Sequence, residues 1–188
     1  MFTVWYKHID VLYNGEGGGA ITFGGFDQGG CQNDIKWVDL TKKTFWTFKI
    51  TGGSVGGITY RGNHPAIVDT GYSDIGAPRD FVNFIRKAYK PTHSVQDNII
   101  NCTGTFYDVK LTINGHTYTI PARNYIVPLV IDLADGSKYH VEGKCRITFS
   151  IHDDKDGLDW ILGVPFVQSY CNVFDIKNEK IGFASKKK

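Results

Sequence analysis

A chain of 188 residues is long enough to bury a substantial core and defaults to one domain. Its 41% hydrophobic and 14% aromatic content places it among folded globular proteins and excludes a disordered chain. A net charge of +2, from 21 basic and 19 acidic residues, asks for neither nucleic acid nor a membrane surface, and no apolar run approaches the roughly 18–20 residues of a membrane span.

In chain order, the start MFTVWYKHID lacks signal-peptide shape, because a charge comes early and no long apolar core follows. The glycine clusters at 15–20 (GEGGGA) and 52–57 (GGSVGG) sit between strands and read as turns; neither leads into a phosphate-binding helix. TFWTFKITGG (44–53) alternates and is rich in aromatic and β-branched residues, so it predicts a strand. One helix is predicted after Pro78: Phe81, Phe84, Ile85 and Ala88 recur at helical spacing, charged residues fill the other face, and Pro91 lies beyond the end. DVKLTINGHTYTIPA (108–122) holds the strongest hairpin signal, Asn114-Gly115 between two runs of strand formers. KCRITFSIHDD (144–154) and CNVFDIKNEKIGFAS (171–185) predict further strands, with a turn at Lys177-Asn178-Glu179. A shorter helical turn is expected after Pro165, and Lys186-Lys187-Lys188 reads as a solvated tail. The sum is an all-β domain with one or two short helices.

Metal and modification signals are weak. HDDKDGLD (152–159) would place His152 where a calcium loop needs an acid, so it reads as a polar loop. Cys31, Cys102, Cys145 and Cys171 form no C-x-x-C pair and have no zinc-finger spacing to histidine, which leaves two long-range disulfides or four buried thiols. Four cysteines allow three connectivities, and spacing does not choose among them. Asn101-Cys102-Thr103 is a weak glycosylation sequon.

Residues 66–78, AIVDTGYSDIGAP, pose the functional question. An aspartate ends an apolar run and is followed by a small hydroxyl residue and a glycine. Taken alone, Asp69-Thr70-Gly71 reads first as a turn aspartate bonding its own loop. The surrounding chain changes that balance. AIVDTGYS resembles the second active-site loop of pepsin-like aspartic proteases. FGGFD (23–27), WVDLTKKTFW (37–46), LTINGHTYTIPARNYIV (111–127) and WILGVPFVQSYCNVFDIKNEKIGFA (160–184) resemble further motifs of that family, in family order. Cys31, the FTVW start and QSYCN look most like its nematode branch. The resemblance covers nearly the whole chain, but only the C-terminal of the family's two lobes; no second Asp-Thr/Ser-Gly is present. The chain therefore reads as a piece of a two-lobed protein or as a single-lobe product, and Met1 directly before FTVW favours the former.

The resemblance implies a psi-loop β-barrel or sandwich lobe without cofactor or metal. Two aspartates sharing a proton activate water in this family, because like charges about 3 Å apart do not both ionise. Asp69 would be this lobe's member of the dyad, Thr70 the hydrogen-bonded grip between loops, and Gly71 an N–H donor to the carboxylate. Ile161, Leu162 and Gly163 match the strand behind the loop, and Phe45 and Ile67 match prime-side pocket positions. Three residues depart from the pattern. Tyr72 stands where a short hydroxyl would bond the outer aspartate oxygen, and its phenol is expected to project into the cleft. Asp74 replaces an apolar residue, and Val164 replaces the usual Asp after Ile-Leu-Gly. The resemblance also implies disulfides Cys102–Cys145 and Cys31–Cys171, hence a secreted or lysosomal and digestive compartment.

The implied partners are a peptide or protein substrate and an N-terminal lobe, or a second copy of the chain, to supply the other aspartate. A non-catalytic pepsin-like homologue that binds peptides or proteins is the competing reading, and a structural secreted domain a third. Strands near Phe2–Tyr6 and Ile181–Ala184 are expected to lie near an interlobe sheet whose exposure favours self-association.

Overall fold

The computed structural model describes residues 1–8, 18–89, 98–153 and 157–187. The Pro91 helix stop, part of the first glycine cluster, Lys188 and the centre of the 152–159 loop lie outside the described residues. The architecture is all-β, in three sheets that do not close into a barrel among the described residues.

The first sheet has the order β2-β1-β14-β15-β3, with β1 Phe2–Tyr6, β2 Gly19–Phe23, β3 Lys36–Asp39, β14 Tyr170–Asp175 and β15 Lys180–Ser185. Phe2–Tyr6 and Ile181–Ala184, the segments expected near an interlobe sheet, both fall in this sheet, on either side of β14. The turn between β14 and β15 forms at the expected residues: the Asp175 carboxylate accepts bonds from the Asn178 backbone and side chain, and Glu179 takes a left-handed conformation. Edge strand β2 carries Ile21 and Phe23 on its surface, Phe23 at 81% exposure.

The largest sheet runs β12-β6-β13-β5-β4-β8-β9. Its strands are β4 Phe48–Val55, β5 Ile58–Val68, β6 Ile75–Ala77, β8 Val109–Ile113, β9 His116–Ile120, β12 Phe149–Ile151 and β13 Trp160–Leu162. The β8–β9 hairpin turns on Asn114 and Gly115, with φ values of 47° and 75°. Two left-handed residues match the right-handed strand twist, which is why Asn-Gly is favoured there. The third sheet joins β10 Ile126–Asp132, β11 Lys138–Ile147 and β7 Ile99–Asn101.

Helix α1 spans Arg79–Tyr89 and buries Phe81, Val82 and Ile85, with Asp80 in its first turn and Arg86 and Lys87 in its last, as the helix dipole favours. Phe81 packs edge-on to Trp160 with ring centroids 4.8 Å apart, so α1 supports β13. Helix α3, Val164–Val167, is the short turn expected near Pro165. Helix α2, Ala122–Tyr125, was not expected, and it brings the helices to three among the described residues. One main core joins the three sheets, and Cys31, Cys171 and Ala184 form a small second cluster. Phe48, Ile50, Phe81, Trp160, Phe166 and Phe183 are fully buried in the main core, each stabilising by roughly 1.5–3 kcal/mol relative to exposure.

Two expected strands differ. Residues 44–46 form a turn and not the start of β4, with Trp46 at φ 56° and its ring edge-on to Phe174. The strand expected over 144–154 breaks at Thr148, whose N–H and hydroxyl both donate to the Tyr125 carbonyl. The cysteines form Cys31–Cys171 and Cys102–Cys145, and no free thiol remains. They close loops of 140 and 43 residues, worth about 4–5 kcal/mol each on the chain-entropy account.

Candidate active site

Strand β13 lies between β5 and β6, parallel to the first and antiparallel to the second. The loop 69–74 that joins β5 to β6 must therefore arch over the end of β13. Register fixes the arch: Ile161 faces Ile67 across the β5 ladder and Gly76 across the β6 ladder, and Leu162 faces Val68 and Ile75. The Asp69 N–H donates to the Leu162 carbonyl at 3.1 Å, and the Val164 N–H to the Tyr72 carbonyl at 2.8 Å. Gly163 is required beneath the arch. A Cβ there would fall inside the carbonyl oxygens of Tyr72 and Asp74, which are backbone atoms that cannot swing away.

This threading presents one carboxylate. Asp69 Oδ1 accepts a 2.8 Å bond from the Gly71 N–H, which aims it along the turn. Asp69 is only half-buried, so its other oxygen is available to solvent or to a partner. Thr70 is held through its carbonyl, which accepts a 3.1 Å bond from the Tyr6 phenol of β1. Its hydroxyl makes no bond among the described residues. Ile67 is two residues before Asp69 on β5 and partly buried. Phe45 is 62% exposed in the turn before β4. Because Phe48 pairs with Ala66, that turn lies at the Asp69 end of the β4–β5 ladder.

The residues that departed from the motif have partners far away in sequence. Tyr72 does not leave its phenol free to sweep the cleft: the hydroxyl shares a 2.7 Å bond with Ser150 Oγ on β12. The Tyr72 N–H donates to the Asp69 carbonyl at 3.3 Å, but the phenol makes no bond to the Asp69 carboxylate, so the short hydroxyl expected at the outer oxygen is not replaced. Asp74 is 9% exposed, and its two oxygens accept bonds of 3.0 and 2.9 Å from the Arg146 guanidinium. A bidentate fork of this kind is the geometry in which arginine and carboxylate bind best. Arg146 sits in β11, opposite Val127 of β10 and Ile99 of β7, so the pair clips the third sheet to the back of the loop. Neither Arg146 nor Ser150 was singled out by the sequence.

A lone carboxylate with one amide donor can accept a proton or orient a water. It does not act as base and acid in the same step. Among the described residues no group of three His, Cys, Asp or Glu side chains is placed to hold a metal, and no helix is long and apolar enough to cross a membrane. Asn101 of the sequon is exposed, its side-chain oxygen accepts a bond from Lys144, and Cys102 is in a disulfide.

Comparison with known proteins agrees with this geometry. The family profile "Eukaryotic aspartyl protease" matches residues 1–186. The chain is 34% identical to "Aspartic protease 17" of Caenorhabditis elegans over 98% of its own length and 46% of that protein. It is 31% identical to "Aspartic protease 2" of Necator americanus over 100% of its length and 41% of that protein, and 31% identical to mouse "Cathepsin E" over 90% and 42%. The chain thus spans less than half the length of these relatives.

Proposed function

The chain belongs to the family of eukaryotic aspartyl proteases, and from that premise we propose that it supplies one half of an acid endopeptidase site. Asp69 is one carboxylate of a two-aspartate dyad that activates water against a peptide bond. The observation that carries this reading is the threaded loop. It spends a glycine under the arch and an amide N–H on aiming a single half-exposed carboxylate. The second carboxylate comes from an N-terminal lobe, and the unbonded Thr70 hydroxyl is the grip offered to that lobe's matching loop. When the dyad forms, the ionised member takes the proton of the water and the protonated member polarises the scissile carbonyl. Ile67, Phe45 and Tyr72 line the substrate side of the Asp69 loop. Both disulfides suit maturation in an oxidising compartment, secreted or lysosomal.

The specific observation favouring a second reading is Tyr72. Its phenol is committed to Ser150, and among the described residues no side-chain hydroxyl serves the outer oxygen of Asp69. On this second reading the protein binds peptides or proteins without cleaving them. The test is cleavage of an unfolded protein at about pH 3–5 over a series of chain concentrations, with Asp69→Asn as control. The chain alone is expected to show none. Activity proportional to chain concentration would overturn the half-site reading. Activity rising with its square and lost in Asp69→Asn would make a second copy the partner.

A further inference from the structure

A second concave site lies where the ends of β1, β9, β15 and α3 meet α2. It is a cleft of about 480 Å³ lined by Arg123, Asn124, Gln168, Tyr170, Lys186 and Lys187 among others. Among the described residues no carboxylate lines it, and Arg123, Lys186 and Lys187 make no ion pair. The lysines are instead held by neutral carbonyls, Lys186 Nζ by Tyr6 at 2.8 Å and Lys187 Nζ by Gln28 at 2.7 Å. The acid that touches the rim, Asp34, is already engaged by the Ser185 N–H and hydroxyl. Burial and the nearby Arg123 both push the Lys186 ammonium below its ordinary value. Asp27, which attracts Lys187, and Asp34 offset part of this charge from outside the cleft, while Arg123, Lys186 and Lys187 keep no direct ion-pair partner among the described residues.

The polar groups between the cations narrow the ligand. Gln168 is 6% exposed, lines the cleft, and its side-chain amide makes no hydrogen bond among the described residues. Asn124 donates to Ser169 Oγ at 2.8 Å and leaves its Oδ1 unpartnered below. The Asn124 oxygen is a buried polar atom without a partner, which costs free energy, whereas the unbonded Gln168 amide stands open to a ligand in the cleft. A primary amide offers one donor face and one acceptor face, the complement of a peptide unit. A bare inorganic anion offers no N–H donor, and the cavity is far larger than one. We propose that this cleft binds an acidic peptide segment, with carboxylates on Arg123, Lys186 and Lys187 and a backbone amide on Gln168. The site is independent of the catalytic reading. It is nevertheless one side chain from the Asp69 loop, because Tyr6 bonds Lys186 through its carbonyl and Thr70 through its phenol.

The test is fluorescence anisotropy of the chain with a dye-labelled Glu/Ser peptide, with a Lys/Ser peptide, inorganic sulfate and heparin as further probes. Saturable binding of the acidic peptide is expected, weakened by salt as screening requires. Arg123→Glu should weaken it by about tenfold or more. Gln168→Met should weaken the peptide and leave competition by sulfate unchanged. Thermal melts of both variants separate lost binding from lost folding, and exposed Lys187→Glu gives a variant remote from the core. Failure of the acidic peptide to bind, equal binding of the Lys/Ser peptide, or full affinity in folded Arg123→Glu overturns the proposal. Binding of heparin without the peptide overturns it in favour of a sulfated glycan.

Discussion

Replacing Arg146 by methionine keeps most of the side-chain volume and removes the one ion-pair partner of Asp74 among the described residues. The Asp74 side chain is 12% exposed and that of Arg146 is 38% exposed. Breaking a fully buried pair costs about 3–5 kcal/mol, whereas surface pairs are worth about 0–1. The guanidinium is more than a third exposed, so solvent screening brings the expected loss to about 2 kcal/mol. For a chain of this size that corresponds to a fall of about 4–8 °C in Tm. Urea unfolding of dilute protein, followed by tryptophan fluorescence, measures it. The double variant Asp74→Leu with Arg146→Met leaves no orphaned charge and is expected to recover to within about 1 kcal/mol of the parent. Arg146→Met unfolding within about 0.5 kcal/mol of the parent, or a double variant no more stable than the single, would show that the pair does not hold the loop.

Three further outcomes follow from the same structure. Gly163→Ala forces a Cβ into two backbone carbonyls, so the loss is expected to exceed about 3 kcal/mol, seen as failure to fold or a collapsed Tm; a native-like melt would contradict the threaded arch. The Asp27 carboxylate is held below its ordinary value of 3.8, first by the Trp5 indole N–H and then by the Gly30 and Gly29 amides. A folded value below the unfolded one stabilises above the unfolded value, and that stabilisation is lost as pH falls through the folded value. Asp27→Asn is therefore expected to lower Tm near neutrality, with the difference from the parent shrinking as pH drops below 3.8; a difference independent of pH would contradict it. Ile21 and Phe23 are 59% and 81% exposed on edge strand β2, so sedimentation should find self-association that Ile21→Lys with Phe23→Lys reduces, and a strictly monomeric parent at high concentration would contradict it.

What the sequence disclosed was mostly local. Asn114-Gly115 sets its own hairpin, and the spacing of Phe81, Phe84, Ile85 and Ala88 sets α1, because turn chemistry and helical period act over a few residues. The Asp69 loop and both disulfides were legible only through family resemblance, since spacing left the cysteine connectivity open. Contacts across long stretches of chain were not legible. Asp74 looked like a misplaced charge until Arg146, 72 residues on, proved to hold it, and Tyr72 finds Ser150 at a separation of 78. Residues 44–46 carry strand-forming side chains, yet they turn so that Trp46 packs against Phe2 and Phe174, and packing overrode propensity. Helix α2 is a single turn following Pro121, which offers no side-chain cap, and its first N–H donates to Asp108, 14 residues away, so no local start signal marked it.

If Asp69 is half of a two-carboxylate site, supplying the other half should restore cleavage. The chain would be refolded with the N-terminal half of a related two-lobed protease, and cleavage of an unfolded protein followed at about pH 3–5. Neither half alone should cleave, the assembled pair should, and Asp69→Asn in this chain should abolish the activity while leaving assembly intact. An assembled pair that cleaves equally well with Asp69→Asn would contradict the claim, and so would one that binds substrate tightly and never cuts it.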